Sequence, residues 1–290
     1  MTALPPMFDY NFAIQGVNLR VRVSRTIDDA PTALLLHGFP ESWYAWRHVI
    51  PVLHAAGWRC VAIDIRGFGL SEKPKDPAAY RLDVLAGDVV GVLDKLHVDR
   101  AAVIGHDLGG AIAWRTAMDH PQRVSQLVAV CAPHPAVGRP TFSPMPGAGA
   151  LRLFPLFMEA NLWWANYRLL SRGFQSHVKP GALTEADLAA YRDAWYREGA
   201  VGAMLRHYRA PDAPKARGEV QAPTLVIWGE GDKWSPVSLA QSSANQVNGK
   251  VIRLPTGHFP HLDAPDAFAL AVIGFLGRQE PHHEWRPPQW

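Results

Sequence analysis

The chain of 290 residues has few cysteines, little net charge and no long apolar run. Cys60 and Cys131 are its two cysteines, and each lies in an apolar segment, which excludes a disulfide scaffold and predicts two buried, reduced thiols. Lys and Arg total 29 against 26 Asp and Glu, which gives a formal net charge of +3 without any basic cluster. This charge distribution argues against nucleic acid as a partner.

Signals for membrane insertion and metal binding are also missing. No apolar stretch reaches the roughly 18 residues of a membrane span, and the amino terminus lacks the charged and apolar regions of a signal peptide. We therefore expect a cytoplasmic chain without membrane contact. The 13 histidines form no H-x-x-x-H pair and the cysteines no C-x-x-C pair, so no metal site is predicted.

The residues that are present indicate a globular protein with an α/β fold. Hydrophobic residues make up 48% of the chain, and short apolar runs alternate with segments of helical periodicity, such as Arg81–Leu96 and Gly110–Asp119. This alternation predicts a mostly parallel sheet covered by helices. The predicted strands are Leu19–Val23, Thr32–Leu36, Cys60–Ile65, Ala101–Ile104, Val124–Val130, Thr224–Trp228 and Lys250–Leu254.

The alternation is interrupted once, after Pro133. From there to about Pro223 the sequence contains proline-rich and aromatic helical stretches, and the segment Thr184-Glu185-Ala186-Asp187 has the spacing of a capping box. Strand-like sequence resumes at Thr224. We therefore predict a core domain of residues 1–133 and 224–290, interrupted by a helical cap at 134–223.

Asp107 occupies the most informative position in the sequence. It stands in a G-x-D-x-G motif between an apolar strand and a helix, which is the context of a nucleophile elbow. Gly105 and Gly109 would let the strand and the helix approach closely, while the side chain of residue 107 projects outward. The alternative is that Asp107 only caps the helix, as aspartate after a strand commonly does.

Three further sites follow predicted strands in the chain order of an elbow enzyme. The stretch His37-Gly38-Phe39-Pro40 is the type of loop that supplies one backbone N–H to an oxyanion hole, here from Phe39, and Leu108 would supply the second. Asp232 follows one later strand and His258 the next. The order Asp107, Asp232, His258 matches nucleophile, acid and histidine.

These motifs resemble those of α/β-hydrolases, in the branch of the epoxide hydrolases and the dehalogenase-like enzymes. H-G-F-P at residues 37–40 and G-H-D-x-G-G at 105–110 carry the likeness, and the stretches at 64–71 and 257–261 are similar to the wider superfamily. The resemblance extends over nearly the whole chain and implies the α/β-hydrolase fold, without a cofactor. Cys131 stands where some relatives hold their acid but cannot replace a carboxylate, which favours Asp232.

An aspartate nucleophile restricts the chemistry. A carboxylate that attacks a carbonyl gives a labile anhydride, whereas attack on a saturated carbon that bears a leaving group gives a stable alkyl ester. His258, oriented by Asp232, would then activate water against that ester, while the oxyanion hole stabilises the developing charge. The aspartate therefore predicts attack on a saturated carbon through an ester on Asp107, and the reaction that we expect is the opening of an epoxide to a vicinal diol.

The leaving group distinguishes the members of this branch. Dehalogenases that the chain resembles place Arg or Trp directly after the nucleophile, where this sequence has Leu108. Epoxide hydrolases take a proton donor from the cap, and Tyr208 resembles it best, with Tyr167 and His177 as alternatives for a second donor. Trp163 and Trp164 would line an aromatic pocket or pack in the core.

Two other functions stay open on the sequence. The first is dehalogenation of a haloalkane or haloacid through the same ester, and the second is a non-catalytic small-molecule receptor built on the fold. We expect a small hydrophobic molecule as substrate and neither nucleic acid nor membrane as a partner. Monomer and homodimer are both compatible with the sequence.

Overall fold

One eight-stranded sheet forms the centre of the chain in the computed structural model, which describes residues 3–25, 30–138 and 168–277. The order across the sheet is β1-β2-β4-β3-β5-β6-β7-β8. The two pairs that include β2 are antiparallel and all the others are parallel. The strands are β1 (Met7–Ile14), β2 (Val17–Ser24), β3 (Thr32–Leu36), β4 (Arg59–Ile63), β5 (Ala101–His106), β6 (Val124–Val130), β7 (Thr224–Gly229) and β8 (Lys250–Leu254).

Helices cover the sheet, so the prediction of an α/β fold with a mostly parallel sheet is confirmed. Every residue of β3 and of β5 is buried, as expected for central parallel strands with both faces covered. The helices are α1 (Val49–Ala55), α2 (Leu82–Lys95), α3 (Leu108–Asp119), α4 (Arg168–Gln175), α5 (Glu185–Tyr196), α6 (Ala200–Arg206), α7 (Ser238–Asn245), α8 (Pro260–Asp263) and α9 (Pro265–Leu276).

Parallel pairing brings the carboxyl ends of the central strands to one edge of the sheet. Leu36 at the end of β3 pairs with Gly105 in β5, and Val130 at the end of β6 pairs with Ile227 in β7. The loops that carry the predicted site residues leave the sheet at this edge. In open α/β sheets this edge is where ligands bind.

The predicted strands agree with the structure except at their ends and for one missed strand. Sequence analysis gave no strand before Leu19, but β1 pairs with β2 along its whole length. Its apolar face has period two, and the turn at Gln15 and Gly16 has φ angles of 48° and 75°, as a tight hairpin requires. Strand β4 ends at Ile63, two residues earlier than predicted, and the carboxylate of Asp64, the next residue, accepts bonds from two loop N–H groups.

Between β6 and β7, the described residues 131–138 and 168–223 contain α4, α5 and α6 and no strand. Thr184 caps α5 through the predicted capping box: its Oγ1 accepts from the N–H of Asp187, and the Asp187 carboxylate accepts from the Thr184 N–H. Residues 139–167, and with them Trp163, Trp164 and Tyr167, lie outside the described residues. The division of the chain into a core and a cap stays a prediction.

Helix α5 is fastened to the loop after β3 by a buried ion pair. Arg47 Nε lies 2.8 Å from Asp187 Oδ1, and the Tyr44 hydroxyl donates to the same oxygen at 3.0 Å. Asp187 therefore caps its own helix and also binds two side chains of the segment that follows β3. Within the part of the chain that the structure describes, no helix combines the length and the apolar composition needed to cross a membrane.

Replacing Thr184 with Ala should lower the free energy of unfolding by about 1 kcal/mol, because an N-cap hydroxyl is removed. Thr184→Ser keeps the hydroxyl and is the matched control. Urea unfolding followed by circular dichroism measures both variants against the parent chain. Equal stability of the Ala and Ser variants would contradict a stabilising role of the cap.

Candidate active site

Asp107 is the single residue between the end of β5 and the start of α3, where the chain makes a sharp turn. Its φ of 50° and ψ of −114° are strained for a residue with a side chain. The backbone segments on both sides of this turn are in close contact. A Cβ atom on Gly105 would lie 2.1 Å from the Gly109 carbonyl oxygen, and one on Gly109 would lie 2.2 Å from the Leu36 carbonyl oxygen. Glycine is therefore required on both sides of the elbow.

The Asp107 carboxylate faces two groups that the sequence predicted beside it. Its Oδ2 accepts a hydrogen bond of 3.1 Å from the Phe39 N–H, and its Oδ1 lies 3.8 Å from His258 Nε2. Leu108 is buried and is the first residue of α3, where a backbone N–H has no helical acceptor. The structure thus brings together Asp107, His258 and one oxyanion-hole donor, with the second predicted donor next in the chain.

His258 is oriented by Asp232. Its Nδ1 lies 2.8 Å from Asp232 Oδ2, while Asp232 Oδ1 accepts from the N–H groups of Trp234 and Ser235 at 2.8 Å and 3.0 Å. Since the carboxylate only accepts, Nδ1 carries the proton and Nε2 is directed to Asp107. Burial alone would raise the pKa of Asp232, but the hydrogen bond from His258 and the two N–H groups lower it overall.

The charges around His258 favour its protonated form in the free enzyme. Burial alone would lower the pKa of this imidazole, but the neighbouring carboxylates of Asp107 and Asp232 raise it to about 9. The ring is in contact with Trp234 on one side and His106 on another, with centroids at 4.6 Å and 4.9 Å. At neutral pH the site therefore holds an imidazolium between two carboxylates.

Tyr208 follows α6 and packs over the oxyanion loop. Its ring meets the Phe39 ring edge-on, with centroids 5.6 Å apart. Burial, with the negative charge of Asp107 as a second cause, raises the pKa of the Tyr208 hydroxyl well above its ordinary value. The phenol is therefore neutral at neutral pH.

Two other residues considered in the sequence lie next to the pair of Asp232 and His258, and His177 and His258 line one cleft. His177 lines a cleft of about 570 Å³ between segment 176–180 and the loops after β7 and β8, and its Nδ1 lies 2.8 Å from the Gly173 carbonyl oxygen. The His177 and Trp234 rings are 4.5 Å apart, so Trp234 contacts both His177 and His258. Cys131 is buried near Asp232, and burial with that charge raises the pKa of its thiol well above the ordinary value.

Glu41 supports the site and was missed by the sequence analysis. This buried carboxylate accepts from the Gly38 N–H at 3.0 Å and lies 2.9 Å from His106 Nδ1 and 2.8 Å from His261 Nε2. His106 Nε2 is in turn 2.8 Å from the His258 carbonyl oxygen. Glu41 thus joins the oxyanion loop, the elbow strand and the histidine loop. A glutamate directly after H-G-F-P was the signal available.

Two groups of side chains offer clustered metal-ligand atoms among the described residues. One is Glu41, His106 and His261, and the other is Cys131, Asp232 and His258. In both groups the carboxylate and imidazole atoms are already hydrogen-bonded to each other at 2.8–2.9 Å. The geometry therefore provides carboxylate–imidazole pairs, and the pair of Asp232 and His258 faces the elbow aspartate.

Known proteins are similar to this chain in both sequence and fold. Residues 31–265 match the family model of the alpha/beta hydrolase fold. The AB hydrolase superfamily protein YfhM of Bacillus subtilis is 35% identical over 277 residues, which cover 91% of this chain and 96% of that protein. Epoxide hydrolase 4 of Mus musculus is 33% identical over 262 residues, which cover 85% of this chain and 73% of that protein.

A solved structure agrees with these relatives. A variant of an epoxide hydrolase from Bacillus megaterium superimposes with a TM-score of 0.79 at 27% identity, covering 92% of this chain and 99% of that one. The elbow, the sheet order and these likenesses lead to one assignment. The chain is a hydrolase and belongs to the α/β-hydrolase superfamily, in the branch of the epoxide hydrolases and dehalogenase-like enzymes.

Proposed function

We propose that this hydrolase opens an epoxide of a small hydrophobic molecule to a vicinal diol through an ester on Asp107. The observation that carries the proposal is a carboxylate, in place of a hydroxyl, at the elbow, with the Tyr208 ring packed on Phe39, whose N–H binds that carboxylate. The named activity of the epoxide hydrolase relatives supports the choice of substrate.

The first step is alkylation. Asp107 Oδ1 attacks an epoxide carbon, the bond between that carbon and the epoxide oxygen breaks, and the oxygen takes a proton from the Tyr208 hydroxyl. The Phe39 N–H holds Oδ2 at 3.1 Å and so turns Oδ1 to the substrate. The product of this step is an alkyl ester on Asp107, which has lost its negative charge.

The second step depends on that loss of charge. With Asp107 esterified, one of the two carboxylates that raise the pKa of His258 is neutral, so the pKa of the imidazole falls. The imidazolium then gives its Nε2 proton to the Tyr208 phenolate, which restores the phenol and leaves Nε2 as a base. His258 then takes a proton from water, and the hydroxide adds to the ester carbonyl carbon. The N–H groups of Phe39 and Leu108 stabilise the resulting oxyanion.

Collapse of that intermediate completes the reaction. The bond between Cγ and Oδ1 breaks, the diol leaves with Oδ1 as one of its oxygens, and Asp107 keeps the oxygen of water. The departing Oδ1 takes the proton that His258 removed from water, and the new carboxylic acid of Asp107 then gives its proton to His258, which restores the imidazolium and the carboxylate. The sum of the steps consumes one epoxide and one water and needs no cofactor.

Replacing His258 with Gln should stop the reaction after alkylation, because the amide cannot take the proton of water. We expect turnover to fall by roughly three orders of magnitude and the ester to accumulate as added mass on the protein. Intact-protein mass spectrometry after incubation with an epoxide measures the adduct. His120→Gln, in a histidine outside the site, is the control, and normal turnover of His258→Gln would show that His258 is not the base.

Removing the charge of Asp107 should lower the pKa of His258. In the folded chain that pKa is about 9 against an ordinary 6.5, so protonation of His258 stabilises the fold fully below pH 6.5 and this stabilisation is lost as pH rises through about 9. NMR titration of the imidazole should show a lower pKa in Asp107→Asn. Asp9→Asn, at a surface ion pair, is the control and should leave the pKa of His258 unchanged. An unchanged pKa in Asp107→Asn would show that the charge of Asp107 does not act on His258.

Tyr208→Phe should slow alkylation by an epoxide by about a hundredfold, the typical cost of one donor to a developing oxyanion. The rate with a bromoalkane of similar shape should change little, since bromide leaves without that proton. In the parent enzyme we expect the epoxide to react at least about tenfold faster than the bromoalkane. Tyr80→Phe, which removes another buried hydroxyl, is the control.

Assays of diol and halide release over a panel of substrates measure this preference. Halide release without diol formation from any epoxide would overturn the epoxide assignment in favour of the dehalogenase.

A further inference from the structure

The loop that carries Phe39 is held by a small set of hydrogen bonds. Within it the Gly38 N–H donates to Glu41 Oε2, the Glu41 N–H donates to the Gly38 carbonyl, and the Phe39 N–H donates to Asp107 Oδ2. The carbonyl of Pro40 accepts from the indole N–H of Trp195 at 2.7 Å. The first three bonds come from the core, whereas Trp195 belongs to helix α5.

The hydrogen bond from Trp195 can fix the position of the loop that supplies the oxyanion-hole N–H of Phe39. Pro40 is buried and Trp195 is 1% exposed, so water does not replace the indole as donor to this carbonyl. Pro40 directly follows Phe39 in the chain. A movement of the Pro40 carbonyl therefore moves the Phe39 N–H relative to the nucleophile.

Helix α5 is anchored to the same segment at two further positions. Asp187, Tyr191 and Trp195 are spaced by four residues each and so share one face of the helix. Arg47 binds the first two, with Nε 2.8 Å from Asp187 Oδ1 and Nη1 3.4 Å from the Tyr191 hydroxyl. All three side chains of this face thus contact the segment from Pro40 to Arg47.

We propose that Trp195 is a positioning residue, which acts through Pro40 to hold the Phe39 N–H against Asp107. The inference rests on the proposed function, since it concerns the ester on Asp107. The Phe39 N–H matters most when negative charge develops on Oδ2, which happens as water adds to the ester and not during alkylation. Loss of the indole N–H should therefore slow hydrolysis of the ester more than its formation.

Trp195→Phe tests this, because it keeps an aromatic ring and removes the donor. Rapid-quench mass spectrometry with an epoxide gives the rates at which the ester forms and decays. We expect decay to slow about tenfold, in line with the cost of misplacing a catalytic group, and formation to change less than about threefold. The ester should accumulate, so that kcat and KM fall together.

Trp58→Phe is the matched control. Its indole is also buried and donates to a backbone carbonyl, that of Gly277, at 2.9 Å. Should the Trp195→Phe chain fail to fold, Trp195→Met fills the space without a donor and is judged by the same rates. A decay rate in the folded Trp195 variant equal to that of Trp58→Phe overturns the inference.

The same experiment separates this inference from the function on which it rests. An ester that forms in the parent enzyme but decays normally in the Trp195 variant refutes only the role of Trp195. Absence of the ester from both the parent enzyme and His258→Gln refutes the proposed mechanism itself.

Discussion

The close backbone approach around Asp107 is the constraint on which the site depends. Helix α3 can begin directly after β5 only because Gly105 and Gly109 leave space for carbonyl groups that a Cβ atom would meet at 2.1–2.2 Å. The turn forces Asp107 into a strained conformation and directs its carboxylate to the Phe39 N–H and His258. Parallel pairing of the central strands then brings the other loops to the same edge.

Electrostatics couple the first step of the proposed reaction to the second. Two carboxylates hold His258 protonated in the free enzyme, where its pKa is about 9. Alkylation would neutralise one of them, so the proton acceptor for the second step is created by the first. An elbow serine has no charge to lose and could not couple the two steps in this way.

The central features were predictable because they are local. The order of elbow, acid and histidine can be read from short motifs after apolar runs, and the capping box at Thr184 lies within four residues. Strand β1 was also readable, from the alternation of Phe8, Tyr10 and Phe12 and the turn at Gly16.

The supporting contacts could not be predicted, because they join distant parts of the chain. Glu41 meets His106 across 65 positions and His261 across 220, and Trp195 meets Pro40 across 155. The position of Glu41 after H-G-F-P marks this residue but not its partners, because those lie on loops that meet only when the sheet has formed. The contact of His177 with Trp234, which in turn contacts His258, is of the same long-range kind.

The most direct test of the ester on Asp107 follows the oxygen of water. Excess enzyme is mixed with an epoxide in heavy-oxygen water for a single turnover, and both the diol and the peptide containing Asp107 are weighed by mass spectrometry. Our account predicts label in Asp107 and none in the first diol, with transfer to diol when the labelled enzyme reacts again in ordinary water. Label in the first diol, with none in the enzyme, would mean that water attacks the epoxide directly and would contradict the account.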